Sequence, residues 1–197
     1  MDSPLTVVHY LFKFLPSSQS WIYNQMAFSS EINHVVVAKR LDNETIFPAL
    51  GPQYILYDRP WHKIAYQKFK HKRQQFFPLC LEAIDDHDAS IFHSHGGEYG
   101  IREMNLKQYR DIFHIVSFYG ADIWLNEKDP EWQRKYQDLF LNSDLFMVEG
   151  NAMRNKVMEL GCPADKVKVH HLGVDLDKIK FAPRAPDRDG TVKVLLA

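Results

Sequence analysis

A chain of 197 residues has room for one sizeable domain and a piece of a second. Hydrophobic content of 45% with 25% charged residues belongs to an ordinary soluble globular protein. The net charge of −1 conceals an uneven distribution: from Arg59 to Leu81 there are six basic residues, Arg59, Lys63, Lys68, Lys70, Lys72 and Arg73, and no acid.

Met1-Asp2-Ser3-Pro4 lacks a positive signal-peptide region, and no apolar run approaches membrane-spanning length, so the expected location is cytoplasmic. Cys80 and Cys162 are too few and too far apart for a disulfide framework or a structural zinc site, which fits a reducing compartment. Leu5 to Leu11 reads as a first strand. The serine-rich loop after it leads to a helix expected over Trp21 to Phe28, with Ser20 as N-cap. Ser17, Ser18, Gln19 and Ser20 together offer donors to a phosphate at the helix start. His34 to Ala38 and Gln53 to Tyr57 are expected strands. Trp61 to Ile84 is expected to be one long helix interrupted at Pro78, with Trp61, Ala65, Phe69, Phe76, Cys80 and Ile84 on one apolar face.

Ala89 to His95 is the next strand, and Gly96 to Gly100 reads as the loop that follows. Phe113 begins a buried strand that gives way to Tyr119, Gly120 and Asp122. Asp129-Pro130-Glu131 is a helix start, with Asp129 as N-cap and Pro130 at the first helical position. Asp144 to Val148 is a strand, Ala152 to Leu160 a helix ended by Gly161-Cys162-Pro163, and Lys166 to His170 a strand. Residues 183–190 resemble a linker, and Thr191 to Ala197 a fresh strand with nothing to pair with. That last strand suggests the start of a second domain.

Strands alternating with helices give an α/β fold: a Rossmann-like, doubly wound, mostly parallel sheet over residues 1–182. In such a sheet the polar groups after each strand share one edge. Here these are Ser17 to Ser20, His93 to Glu98, Tyr119 to Asp122, Glu149 to Asn151, and His171 to Asp175. A ligand cleft along that edge is the expectation.

His93 and His95 have strand spacing, so both rings can point to one face. Such a pair can bind a metal with Asp122 or Glu149, which would suit a metal-dependent hydrolase. A sugar-binding module without catalysis is the other alternative. The chain has no glycine-rich dinucleotide loop, Walker loop or nucleophile elbow. The basic helix interleaves Lys63, Lys68, Lys70, Lys72 and Arg73 with aromatic residues. It is either a solvated face or a surface for anionic lipid; nucleic acid is not an expected partner.

Five motifs in order carry a family resemblance. Val116-Ser-Phe-Tyr-Gly-Ala-Asp122 resembles the T-F-H-G-x-D strand-loop of retaining glycosyltransferases of family 4. Ile91-Phe-His-Ser-His95 resembles their I-H-x-H strand. Asn142 to Gly150, Leu160 to Lys166 and His171 to Asp175 follow in family order. Phe14 to Ile22 is similar to the first loop and helix of members that build bacterial exopolysaccharides.

The resemblance implies the N-terminal, acceptor-binding half of a GT-B enzyme. Its partners would be a nucleotide-sugar donor, a saccharide or lipid-linked acceptor, and an anionic membrane surface at the cytoplasmic leaflet. No metal or other cofactor is implied. His93, His95, Tyr119, Gly120 and Asp122 would line the acceptor site, with the 17–20 loop facing the donor phosphates and Glu149 and Asn151 nearby. The family's pair of glutamates eight positions apart, a feature of the donor half, does not occur in this chain. Tyr119 stands where many members carry histidine, and a phenol is a poorer proton shuttle near neutral pH.

Overall fold

In a computed structural model, residues 4–16, 19–124, 128–177 and 181–183 are described. Seven strands form one sheet: β1 (Thr6–Phe14), β2 (Asn33–Leu41), β3 (Gln53–Ile55), β4 (Ile91–His95), β5 (Phe113–Phe118), β6 (Leu145–Val148) and β7 (Val167–Val169). Their order is β3-β2-β1-β4-β5-β6-β7, and every neighbouring pair is parallel. The Rossmann-like expectation holds, and the sheet is parallel throughout. Val7, Val8, Val35, Val36, Val37, Phe92 and Val116 are buried, as a sheet covered on both faces requires. The expected linker and the following strand lie, beyond Pro183, outside the described residues.

The helices are α1 (Ser20–Ala27), α2 (Trp61–Gln74), α3 (Pro78–Asp86), α4 (Gly97–Glu103), α5 (Ala121–Trp124), α6 (Pro130–Asn142) and α7 (Asn151–Glu159). α6 starts as expected, with Asp129 accepting from the Glu131 amide at 2.8 Å and Pro130 at the first helical position. α1 corrects the expectation for Ser20. Gln19 occupies the N-cap position without a side-chain cap, and Ser20 is already helical.

The long helix is two helices. Gln75 adopts a left-handed conformation that ends α2, and Pro78 opens α3. Only the second half of the expected stripe is core: Phe76, Cys80 and Ile84 are buried, whereas Trp61 is 80% and Phe69 57% exposed, and Ala65 is exposed too. The one buried side chain of α2 is polar. Gln67 accepts from the Leu79 amide at 2.9 Å, so it serves the start of α3.

α4 was expected to be a loop, because two of its residues are glycine and glycine weakens helices. Packing overrides that preference. A Cβ on Gly97 would lie 2.4 Å from a Phe118 ring carbon, so the helix comes this close to β5 only with glycine there.

α4 ends in Glu103, which is fully buried, accepts from the Phe77 amide at 2.9 Å and lies beside Tyr10 and Cys80. Burial pushes its carboxyl up to about 8. The folded protein therefore holds a proton that the unfolded chain, with an ordinary glutamate, has released above about pH 4.3. This contribution to stability is full at acid pH and is lost as pH rises through 8. Between roughly pH 7.5 and 8.5, ordinary histidines are about nine-tenths neutral or more in the unfolded chain, so Glu103 acts there with little opposition from them. Denaturant midpoints should fall across that window and fall less in Glu103→Gln. Parallel profiles for the two proteins would show that Glu103 is not the group responsible.

Candidate functional site

The strand order reverses direction between β1 and β4, which makes the carboxyl ends of those two strands the natural crevice of the sheet. The loops after β1, β4, β5 and β6 meet there, and Asp122 ties two of them together. Its Oδ1 accepts from the amides of Tyr119 at 3.2 Å and Gly120 at 3.0 Å, and its Oδ2 from the amide of Gly97 at 3.0 Å. Gly120 has φ of 110°, a conformation other residues resist, and this brings its amide round to the carboxylate. Tyr136 completes the corner by donating its hydroxyl to the Asp122 carbonyl.

Burial raises the Asp122 carboxyl above the usual range, and the backbone amides around it pull the other way. Glu149, half-buried at the end of β6, is also raised, first by desolvation and then by the Asp122 charge. Tyr119 lies between these carboxylates and the sheet. Its hydroxyl is 2.7 Å from His95 Nδ1, and its ring centre is 5.9 Å from that of Trp21 on α1. Burial drives the phenol well above its ordinary value, so Tyr119 is neutral at any physiological pH.

His93 and His95 share a face, as their spacing predicts, with ring centres 4.0 Å apart. The structure adds two histidines that the sequence reading passed over. His9 pairs in register with His93 and puts Nδ1 2.9 Å from His95 Nε2. His9 Nε2 lies 3.0 Å from His34 Nδ1, and His34 Nε2 lies 3.1 Å from the Ser29 carbonyl oxygen. His93 is held by the Ser117 hydroxyl at 2.8 Å, below the cleft edge. Alternation along β1 puts Val7, His9 and Leu11 on one face, but only the β1–β4 register shows that His9 meets His93. On the opposite face Ser94 and Ser143 satisfy His114, at 2.9 and 3.0 Å, an ordinary buried histidine.

His9, His93 and His95 each bring one ring nitrogen within 4.8 Å of the others, a spacing within reach of one metal ion. Asp122, one of the two carboxylates expected beside His93 and His95, already has both oxygens on backbone amides. A cavity of about 660 Å³ opens over this histidine face, between α1 and residues 170–177, and His9, His34, His93, His170 and His171 are among its lining.

The remaining expected site residues are spread over the starts of α1 and α7 and along α2. Asn151 is exposed at the start of α7, and Lys63, Lys68, Lys70, Lys72 and Arg73 are on α2. Gln19 and Ser20 stand at the start of α1, while Ser17 and Ser18 lie outside the described residues.

Comparison with known proteins decides the family. The model of Glycosyltransferase Family 4 matches residues 31–178, well over half of the chain. The chain belongs to glycosyltransferase family 4. The colanic acid biosynthesis glycosyltransferase WcaL of Escherichia coli (strain K12) is 28% identical over 108 residues, 54% of this chain and 26% of that protein. The amylovoran biosynthesis glycosyltransferase AmsK of Erwinia amylovora is 29% identical over 101 residues, 49% of this chain and 24% of that protein. The matched region thus spans about a quarter of the length of these relatives.

Among solved structures, HepE of Anabaena, in complex with UDP and glucose, has a TM-score of 0.65 at 10% identity, covering 91% of this chain and 47% of HepE. Sucrose-phosphate synthase of Thermosynechococcus elongatus gives 0.62 at 10% identity, covering 88% and 49%. These likenesses show the Rossmann-like α/β fold of this family 4 chain, which spans about half the length of each of those structures.

Burial lowers the basicity of His9, His93, His95 and His114, to about 3 for His93 and His114. Their folded values are depressed, so the stability they allow is present above the unfolded value of about 6.5 and is lost as pH falls toward 3. The unfolding free energy should drop steeply below pH 6, with net proton uptake on unfolding. A flat stability profile between pH 6.5 and 4 would contradict neutral burial of these rings.

Proposed function

We propose that this chain is the acceptor-binding half of a glycosyltransferase that moves a sugar, with retention of configuration, from a nucleotide-sugar to a saccharide or lipid-linked acceptor. The observation that carries the reading is the crevice at the β1–β4 reversal, where Asp122 locks the loops after β4 and β5 into one wall. Family membership supports it, as do the relatives named for exopolysaccharide biosynthesis. In the transfer, the acceptor oxygen bonds to the anomeric carbon while the bond from that carbon to the nucleotide phosphate breaks. The acceptor proton leaves with the phosphate. This half contributes position and electrostatics, not a nucleophile. Tyr119 and His95 line the acceptor side, Gly120 and Asp122 fix their loop, and Gln19 and Ser20 at the start of α1 serve the donor phosphates.

Residues 1–197 alone should fold and release no nucleotide from UDP-glucose or other nucleotide-sugars, because most donor contacts belong to the other half. Turnover by this piece would sink the two-domain reading. In a longer protein that carries both halves, Asp122→Ala should lower kcat/KM by about 10²-fold through misplacement of the loop. Full activity in that variant would remove Asp122 from the site.

The exposed face of α2 supports a membrane role for the same protein. Trp61, Tyr66 and Phe69 are all exposed among the cations, and Arg73 sits 5.8 Å from the Phe69 ring centre. No helix among the described residues is long and apolar enough to cross a membrane, so contact through α2 would be peripheral, at the cytoplasmic leaflet where lipid-linked acceptors are held. Each basic residue near an anionic surface contributes about 1 kcal/mol, screened by salt. Vesicles containing anionic lipid should bind the protein reversibly and neutral vesicles hardly at all. Changing Lys68, Lys70, Lys72 and Arg73 to glutamine should erase the difference; equal binding to both vesicle types would leave α2 a solvated face.

A further inference from the structure

The histidine face carries a directional argument. A backbone carbonyl only accepts hydrogen bonds, so His34 must carry its proton on Nε2 to bond Ser29. A neutral His34 then has a bare Nδ1, which must accept from His9 Nε2–H. His9 Nδ1 is therefore bare and accepts from His95 Nε2–H. His95 Nδ1 is bare in turn and accepts from the Tyr119 hydroxyl. One acceptor at one end thus assigns every proton in a chain that crosses three strands. His9 and His95 are more than nine-tenths buried, and burial lowers the basicity of both.

We propose that His34, His9 and His95 form a hydrogen-bonded relay of fixed polarity that commits the Tyr119 proton to the protein, leaving the phenol only an acceptor toward the cleft. The group Tyr119 recognises is then a hydrogen-bond donor, a hydroxyl of a saccharide acceptor, and phosphate oxygens are turned away. His95, His9 and His34 are positioning residues, and Tyr119 determines specificity. The inference rests on the reading of this edge as an acceptor site.

The relay also bears on metal binding. A metal held by His9 Nδ1 and His95 Nε2 would need lone pairs on two atoms 2.9 Å apart, one of which the relay protonates. Relay and metal site are exclusive uses of the same nitrogens.

The test is nitrogen-15 NMR of the imidazoles in the 197-residue chain at neutral pH. His34, His9 and His95 should all be Nε2–H tautomers with bare Nδ1. His34→Gln, whose amide can donate to Ser29 and accept from His9, should keep the pattern at His9 and His95. His34→Leu should lose it, and a merely space-filling role for His34 predicts no such split between the variants. An Nδ1–H signal at His9 or His95 in the unaltered protein would overturn the proposal. So would stoichiometric Zn²⁺ uptake that removes their Nε2–H signals.

Inorganic phosphate titrated into the same sample should leave the Tyr119 and His95 resonances unmoved. A saturable phosphate shift there, abolished in Tyr119→Phe, would refute the acceptor-only phenol. These readouts do not depend on sugar transfer. A wrong tautomer would defeat the relay alone, whereas a two-domain protein without transfer activity would defeat the functional reading alone.

Discussion

The carboxylate of Asp122 sits where the loops after β4 and β5 come within reach of each other, and the geometry of the crevice follows from that contact. Three backbone amides converge on two oxygens, one from the start of α4 and two from the turn that contains Gly120. Amide donors to an ionised acceptor are among the stronger protein hydrogen bonds. They hold Tyr119 at a fixed height over His95 and keep α4 pressed on β5, where Gly97 makes room for Phe118. The short α5 continues from the same corner, anchored through the Tyr136 hydroxyl. The wall of the crevice is therefore built from backbone, and the side chains that face a ligand inherit its position.

Strands, their order of appearance and the polar character of their ends were legible in the sequence, because apolar runs punctuated by glycine and proline report local structure directly. Asp129-Pro130 at α6 was legible for the same reason. What was not legible depends on pairing. His9 and His34 are single histidines in apolar strands, and only the parallel register, His9 across from His93, turns them into a cluster. α4 was hidden by its glycines, which look like a loop until the closeness of Phe118 explains them.

The stripe assigned to α2 failed for a different reason. Apolar periodicity predicts a buried face only where something covers it, and the left-handed turn at Gln75, which ends α2, resets the phase. Beyond that break Phe76, Cys80 and Ile84 obey the pattern, since α3 packs on β1 and β2. Before it, Trp61 and Phe69 do not. A helix with one buried side chain, and that one a glutamine capping its neighbour, draws little stability from a core. Its exposed aromatic rings therefore need another explanation than packing within this domain.

The two faces of the sheet show why identity alone does not assign a role to a buried histidine. His114 lies between two serine hydroxyls, which can donate or accept, so either tautomer is satisfied and the cluster stores no direction. The chain on the other face ends on a carbonyl that can only accept and a phenol that can donate. With every ring neutral, a network whose ends differ in this way has one arrangement with every bond made, and any other neutral arrangement leaves a buried nitrogen without a partner. In a site of low dielectric that penalty is high. The same rings that would be unremarkable one at a time thus acquire a polarity from their order, and that polarity reaches the edge where the crevice opens.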